Sequence, residues 1–155
     1  MAHGYKGKGV LIHLLADAEG MPLSACSAPA NEDERKHAGR LLDMVAVKTG
    51  KAGRPRKNER RLAADKGYDA DALRRFLKKK GIQPRIPRKR NASRRRGRPV
   101  GMSAPRFQVE RTFSWLQRKF RRLAVRWERL PDCFDSFLSL ALCFMWAQRL
   151  VGFGP

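Results

Sequence analysis

The sequence predicts an α/β or α+β fold, short strands covered by helices. Three observations lead there. Short apolar stretches bounded by turn residues alternate with helix-periodic stretches, in the order ββαβαβαα, which is the signature of a layered strand-and-helix domain. The 155 residues are 42% hydrophobic, enough for the core of one domain and too apolar for general disorder. Gly- and Pro-punctuated basic stretches separate the elements.

Val10 to Ala16 (VLIHLLA) is short, apolar and followed by turn residues, so a strand is expected there. Pro22 to Ala28 is its return strand, giving a hairpin over 10–28 with its turn near Glu19-Gly20. Asn31 or Asp33 is placed to cap a helix from Glu34 to Val47, whose Ala38, Leu41, Leu42 and Val45 fall at i, i+3, i+4, i+7. A basic loop covers 48–61, then Arg61 to Asp65 forms a short strand of small residues ending in an acid. Asp69 is expected to cap a second helix, Ala70 to Lys80, with Leu73, Phe76 and Leu77 on one face and Gly81 as its stop. Ile82 to Pro87 is a proline-hemmed peripheral strand, and 87–105 a second basic loop. From Arg106 helical periodicity returns, with Val109, Phe113, Leu116, Phe120 and Leu123 on one stripe. A last helix, about Asp132 to Leu150, is apolar on most sides and is expected to be the buried one. Phe113, Trp115, Leu116, Phe120, Phe134, Phe137 and Trp146 read as core packing, not as a platform for stacking bases.

Charge narrows the function. Lys plus Arg is 35 against 14 Asp plus Glu, a formal net charge of +21. Self-repulsion of that size is relieved by a polyanion, and nucleic acid leads because Lys and Arg displace the counterions of its phosphates. The cations cluster at Lys48–Arg61, with Lys66 just beyond, at Lys78–Arg98, and at Arg118, Lys119, Arg121 and Arg122. Charge alone leaves an RNA binder of ribosomal type open. Cys26, Cys133 and Cys143 are too few and too scattered for a disulfide scaffold, and His3, His13 and His37 lack zinc-ligand spacing with them. No apolar stretch suits a signal peptide, and Phe134 to Trp146 is short and interrupted by Asp135. A reducing, cytoplasmic setting is expected, with no membrane partner.

Two acids stand out. Asp65 ends a strand of small residues and is followed by Lys66-Gly67-Tyr68, a position where α/β sheets place their sites. It is equally readable as a turn or helix-cap aspartate. Glu110 borders the apolar stripe, where a carboxylate needs a cation or metal; an ion pair with Arg106 or Arg111 is its plainer reading. Together, at expected buried ends of elements beside basic loops, they suit phosphodiester chemistry. Carboxylates hold Mg²⁺ while it keeps several waters, and paired ions activate the nucleophile and stabilise the leaving oxygen.

Asp65-Lys66-Gly67-Tyr68-Asp69 resembles the second acidic motif, and Arg106-Phe107-Gln108-Val109-Glu110-Arg111-Thr112-Phe113-Ser114-Trp115-Leu116 the third, of DDE transposases from bacterial insertion sequences of the IS-four/IS-five type. Lys119-Phe120-Arg121-Arg122-Leu123 and the opening His3-Gly4-Tyr5-Lys6-Gly7-Lys8, Ile12 to Asp17 and Gly20-Met21-Pro22-Leu23 are also similar to that group, so the resemblance covers nearly the whole chain. It implies an RNase H-like fold lacking its first, central strand, with additional C-terminal helices over 106–150, as one partial domain over 1–155. It also implies Mg²⁺- or Mn²⁺-dependent cutting and joining of DNA, with Asp65 and Glu110 as second and third catalytic acids and metal ligands. Arg106, Lys66, Arg88, Lys89, Arg90, Arg94, Arg95, Arg96, Arg118 and Lys119 are then the expected DNA-binding residues.

The chain departs from the family pattern at three places. Ser103 replaces the motif's tyrosine, and Gln117 replaces the lysine seven residues after Glu110, with Arg118 and Lys119 adjacent as substitutes. The first aspartate, carried in the family by the strand before the hairpin, is absent; Asp17 is expected at the opposite sheet edge from Asp65. The implied partners are duplex transposon-end DNA, an upstream transposase segment supplying the first Asp, and a second copy of the chain, in the bacterial cytoplasm at the nucleoid. The other expectation is a catalytically incomplete DNA-binding fragment that regulates, or remains from, a transposase.

Overall fold

The computed structural model describes residues 3–4, 7–45, 60–89, 107–126 and 128–152. The chain divides into two compact units, Met1–Glu32 with Phe107–Pro155, and Asp33–Arg106. Most of both basic loops, over 48–59 and 90–105, lies outside the described residues.

In the first unit, β1 (His3–Gly4) and β2 (Gly7–Lys8) form a small antiparallel pair, which the sequence reading had not marked as strands. β3 (Val10–Ala16) and β4 (Pro22–Pro29) form the expected hairpin, with His13 opposite Cys26 and an irregularity between Leu15 and Ala16. Alternation along the strands sends Val10, Ile12 and Leu14, with Ala25 across from Leu14, to one face. That face packs on Leu116 of α3 (Phe107–Lys119), Leu123 of α4 (Arg121–Ala124), and Phe134, Leu138, Ala141 and Met145 of α5 (Pro131–Leu150).

The helices depart from expectation in two ways. The stretch 106–123 is broken: Phe120 leaves helical geometry (φ −121°, ψ 84°) and starts the short α4. The ring of Phe120 instead meets Phe137 and Phe144 edge-on, so packing overrides the continuous helical period. α5 is buried along one stripe only, Phe134, Leu138, Ala141 and Met145 at i, i+4, i+7, i+11, while Leu140 is 64% and Phe144 49% exposed. Asp135, which interrupts its apolar stretch, accepts the Ser27 backbone N–H at 2.9 Å, and Trp146 Nε1 donates to the Pro22 carbonyl at 2.6 Å. These two bonds satisfy backbone groups of β4 that β3 does not pair.

In the second unit, α1 (Glu34–Met44) is capped by Asp33, which accepts the Arg35 N–H, and it buries Ala38, Leu41 and Leu42. It ends three residues before the expected Val47; Val45 is the C-cap. β5 (Arg61–Ala63) and β6 (Gln83–Arg85) pair in parallel, joined through a single 3-10 turn (Lys66–Tyr68) and α2 (Asp71–Lys79). Leu77 and Ile82 are 0% and 1% exposed around the α2 stop. There Gly81, at φ +76°, donates to the Lys78 carbonyl and Ile82 N–H to that of Leu77, the double bond of a Schellman ending. Among the described residues, β3 pairs only with β4 and β5 only with β6, and no helix is long and apolar enough to cross a membrane.

Candidate active site

Parallel pairing makes β5 and β6 end at the same sheet edge. Two residues beyond β5, Asp65 caps the 3-10 turn, its Oδ1 accepting Lys66 N–H at 2.6 Å. The turn-cap reading of Asp65 is therefore correct as structure, and the carboxylate is exposed rather than buried at a strand end.

Asp69, between the 3-10 turn and α2, ties the chain leaving β6 to this edge through the Lys89 N–H. Asp69 does not cap α2; Ala70 is the N-cap, without a side-chain bond. Asp69 Oδ1 instead accepts Nε and Nη2 of Arg74 at 2.9 and 2.8 Å, and Oδ2 accepts Lys89 N–H at 2.7 Å. Arg74 Nη2 also donates to the Ile86 carbonyl at 2.7 Å. With side chains 10% and 7% exposed, Arg74 and Asp69 form a nearly buried ion pair. Burial pushes the Asp69 carboxyl up, but the Lys89 N–H, the Arg74 bonds and the charges of Arg74 and Arg88 outweigh it and hold the carboxyl below its ordinary value. The pair thus fixes Lys89, and with it the root of the second basic loop, against the turn that starts at Asp65. Lys66, Arg88 and Lys89 are exposed at this edge, Arg88 lying 4.0 Å from Asp71.

Glu110 belongs to the other unit, in the first turn of α3, where an acid is favoured by the helix dipole. It is exposed, and Val109 beside it is 37% exposed, so the expected position against the core is corrected. The buried face of this turn is marked by Thr112, 0% exposed, and continues to Leu116 at 1%. Neither acid has the burial that a structural carboxylate-metal pair in a core would require; both are open to solvent and to a polyanion.

The two substitutes for the missing lysine separate. Arg118 is exposed, whereas Lys119 Nζ donates to Gln148 Oε1 at 2.6 Å. At about 100° and 1.5 Å per residue, Gln117 is about 20° from Glu110 around α3 and Arg118 about 80° away, both more than about 10 Å along the axis. Gln117, not a cation, therefore shares the Glu110 side of the helix. Arg106, Arg90, Arg94, Arg95, Arg96 and Ser103 lie outside the described residues. Among the described residues no three His, Cys, Asp or Glu side chains cluster to hold a metal ion. Asp17, the other acid weighed, spends Oδ1 on the hairpin turn, accepting Glu19 and Met21 N–H at 2.9 and 2.8 Å. The sequence reading gave Asp69 the role of helix cap and did not foresee its pairing with Arg74, whose signal is an aspartate four residues after Asp65 with an arginine five further on.

Sequence comparison supplies what geometry inside each unit does not. The chain is 38% identical over 133 residues to a putative transposase for insertion sequence element IS402 of Burkholderia cepacia, covering 86% of this chain and 60% of that protein. It is 28% identical over 139 residues to a putative transposase for element IS6501 of Brucella ovis (88% of this chain, 97% of the relative). It is 35% identical over 114 residues to the transposase for element IS1106 of Neisseria meningitidis serogroup B (70% and 36%). The chain thus spans about three fifths of the Burkholderia relative and about a third of the Neisseria one. No solved structure matches. The family model for the transposase DDE domain matches residues 2–146, and on that extent of agreement the chain belongs to the DDE transposases of insertion sequences.

Proposed function

We propose that this chain is the catalytic-core portion of an insertion-sequence transposase, contributing Asp65 and Glu110 to DNA strand cleavage and transfer at transposon ends. The observation that carries the reading is the sheet edge of the second unit, where Asp65 stands with Lys66, Arg88 and Lys89, in a chain of this family. An exposed acid on the same sheet edge as exposed cations is the arrangement a polyanionic substrate and a hard divalent ion need together. Asp65 and Glu110 are oxygen donors of the type Mg²⁺ or Mn²⁺ takes, and they are the residues that would hold it. Bound there, the ion would supply activation of a nucleophile and stabilisation of the leaving oxygen. Lys66, Arg88, Lys89 and Arg118, with Arg90, Arg94, Arg95, Arg96 and Arg106, would hold the DNA backbone.

The strand pairing supports an RNase H-like arrangement with a strand supplied from elsewhere in the transposase. Each unit contributes one strand pair, antiparallel β3–β4 and parallel β5–β6, of the kinds such a sheet combines, and a further strand from the transposase would bring the third acid. That strand, duplex transposon-end DNA and a second copy of the chain are the proposed partners, in the bacterial cytoplasm at the nucleoid. A second reading, a DNA-binding fragment without cleavage, is favoured by the lack of a three-acid cluster among the described residues.

The test joins the whole chain to the remaining part of the Burkholderia relative and measures cleavage of transposon-end DNA with Mg²⁺ or Mn²⁺. Asp65→Ala and Glu110→Ala are expected to abolish cleavage and retain DNA binding. Cleavage at the unsubstituted rate by either variant removes the assignment. Salt-dependent binding by the chain alone, with no cleavage in either setting, establishes the second reading instead.

A further inference from the structure

We propose that the turn of the β3–β4 hairpin is a positioning element for Glu110, with Thr112 as the positioning residue that docks α3 onto it. The proposal rests on the reading of Glu110 as a catalytic acid and extends it to Thr112 in the same helix and to the hairpin turn at Glu19 and Gly20.

The turn and the first turn of α3 belong to one unit and meet at three places. Thr112, fully buried, shares its hydroxyl proton between the Gly20 carbonyl and the Gln108 carbonyl four residues back in its own helix. Arg111 Nη2 donates to the Glu19 carbonyl, and its guanidinium lies 4.8 Å over the Trp115 ring. The Glu19 carboxylate in turn accepts from Arg149 Nη2 of α5 at 2.8 Å. Gly20 sits at φ +85°, and a Cβ there would lie 3.1 Å from Gln108 Oε1, 3.2 Å from Arg111 Nη2 and 3.3 Å from the Gln108 carbonyl. Only glycine lets the turn come this close to α3. The turn is itself rigid: Asp17 Oδ1 takes two of its N–H groups, and Asp17 N–H bonds the Met21 carbonyl at 2.9 Å.

Helix geometry explains why such a clamp serves Glu110. At about 100° per residue, Gln108, Arg111 and Thr112 lie within a sector of about 100°, and Glu110 lies about 150° from its middle. Docking the first face therefore presents Glu110 on the far, exposed one, as observed. A rotation of α3 by about 20° would move a carboxylate carried about 5 Å from the axis by about 2 Å. Displacement of about 1 Å at a reacting centre costs up to about 100-fold in rate. The buried hydroxyl of Thr112 and the absent side chain of Gly20 set that rotation.

The test uses the same joined transposase and the variants Thr112→Val, Thr112→Ser, Arg111→Gln and Glu110→Gln. Valine keeps the shape of threonine and removes the bond to Gly20; serine keeps the bond. Thr112→Val is expected to lower cleavage about 10- to 100-fold and to raise the Mn²⁺ concentration giving half-maximal cleavage, with DNA affinity unchanged. Thr112→Ser is expected to remain near the unsubstituted rate. In the chain alone, Thr112→Val should speed amide exchange over 17–21 and 107–112. If Thr112→Val does not fold, Arg111→Gln, which removes the bond to the Glu19 carbonyl and the ring contact, is read in the same way. Unchanged rate and Mn²⁺ dependence in a folded variant, with Glu110→Gln inactive, overturns the positioning role alone. Full cleavage by Glu110→Gln overturns the reading of Glu110 and this proposal with it.

Discussion

The separate costs of removing each member of the Asp69–Arg74 pair should add up to more than the cost of removing both. Arg74 reaches Asp69 with two nitrogens and has the Ile86 carbonyl as its other bond, while Asp69 keeps Lys89 N–H and the nearby charge of Arg88. Asp69→Ala therefore strands a guanidinium that is 10% exposed, and loss of one partner of a buried pair costs about 3–5 kcal/mol. The low end, about 3 kcal/mol, is expected here because the Ile86 bond remains. Arg74→Met leaves a better-compensated carboxylate and should cost about 2 kcal/mol. The double variant replaces the pair by apolar groups and should cost about 3 kcal/mol, so the two single effects overshoot it by about 2 kcal/mol. Urea unfolding followed by far-UV circular dichroism measures the cycle. Tryptophan fluorescence does not, since Trp115, Trp127 and Trp146 all lie in the other unit. Exchange of the Lys89 amide should accelerate in Asp69→Ala and much less in Arg74→Met, because only the first removes its acceptor. Single effects that add to within about 0.5 kcal/mol would refute the coupling.

The same pair sets a pH dependence. The Asp69 carboxyl is held below its ordinary 3.8, so its stabilisation is fully present above that value and is lost as pH falls through the lower folded value. Urea midpoints should therefore drop below about pH 4, and Asp69→Asn should flatten that limb while lowering stability at pH 7; an unchanged acid limb in Asp69→Asn counts against it. At the end of α2, Gly81 has no neighbour within 4 Å of a Cβ but stands at φ +76°, so Gly81→Ala is expected to cost about 1 kcal/mol by backbone strain alone. A thermal melt unchanged to within 1 °C would contradict that.

Elements whose signal is local were legible in the sequence. The Ala38, Leu41, Leu42, Val45 spacing located α1 and its buried face, Glu19-Gly20 located the hairpin turn, and Gly81 located the end of α2. Two of the misreadings come from contacts distant in sequence. Phe120 breaks its helix to meet Phe137 and Phe144; Asp135 looked like an interruption and serves Ser27, 108 residues away. Apolar content around α5 gave no clue that only one stripe would be covered. The family resemblance singled out Asp65 and Glu110 as candidates, but not that both are exposed. It also did not show the contacts of Asp69, Arg74, Gly20 and Thr112, whose partners are backbone carbonyls, N–H groups and one another.

Those missed residues account for how exposed acids can be held accurately. A buried carboxylate is oriented by the groups that compensate its desolvation, at the expense of affinity for its proton or ion. An exposed one avoids that cost and loses the orientation. Here orientation is transferred to the backbone that carries the acid. The 3-10 turn of Asp65 leads directly into Asp69, which is locked to α2 and to the exit of β6, and the helical turn of Glu110 is locked to a rigid hairpin turn. Each lock lies wholly inside one unit. Disabling one should therefore displace its own acid and leave the backbone that carries the other untouched. A variant in Asp69 and a variant in Thr112 are predicted to lower cleavage by factors that multiply, whereas two variants within one lock should not.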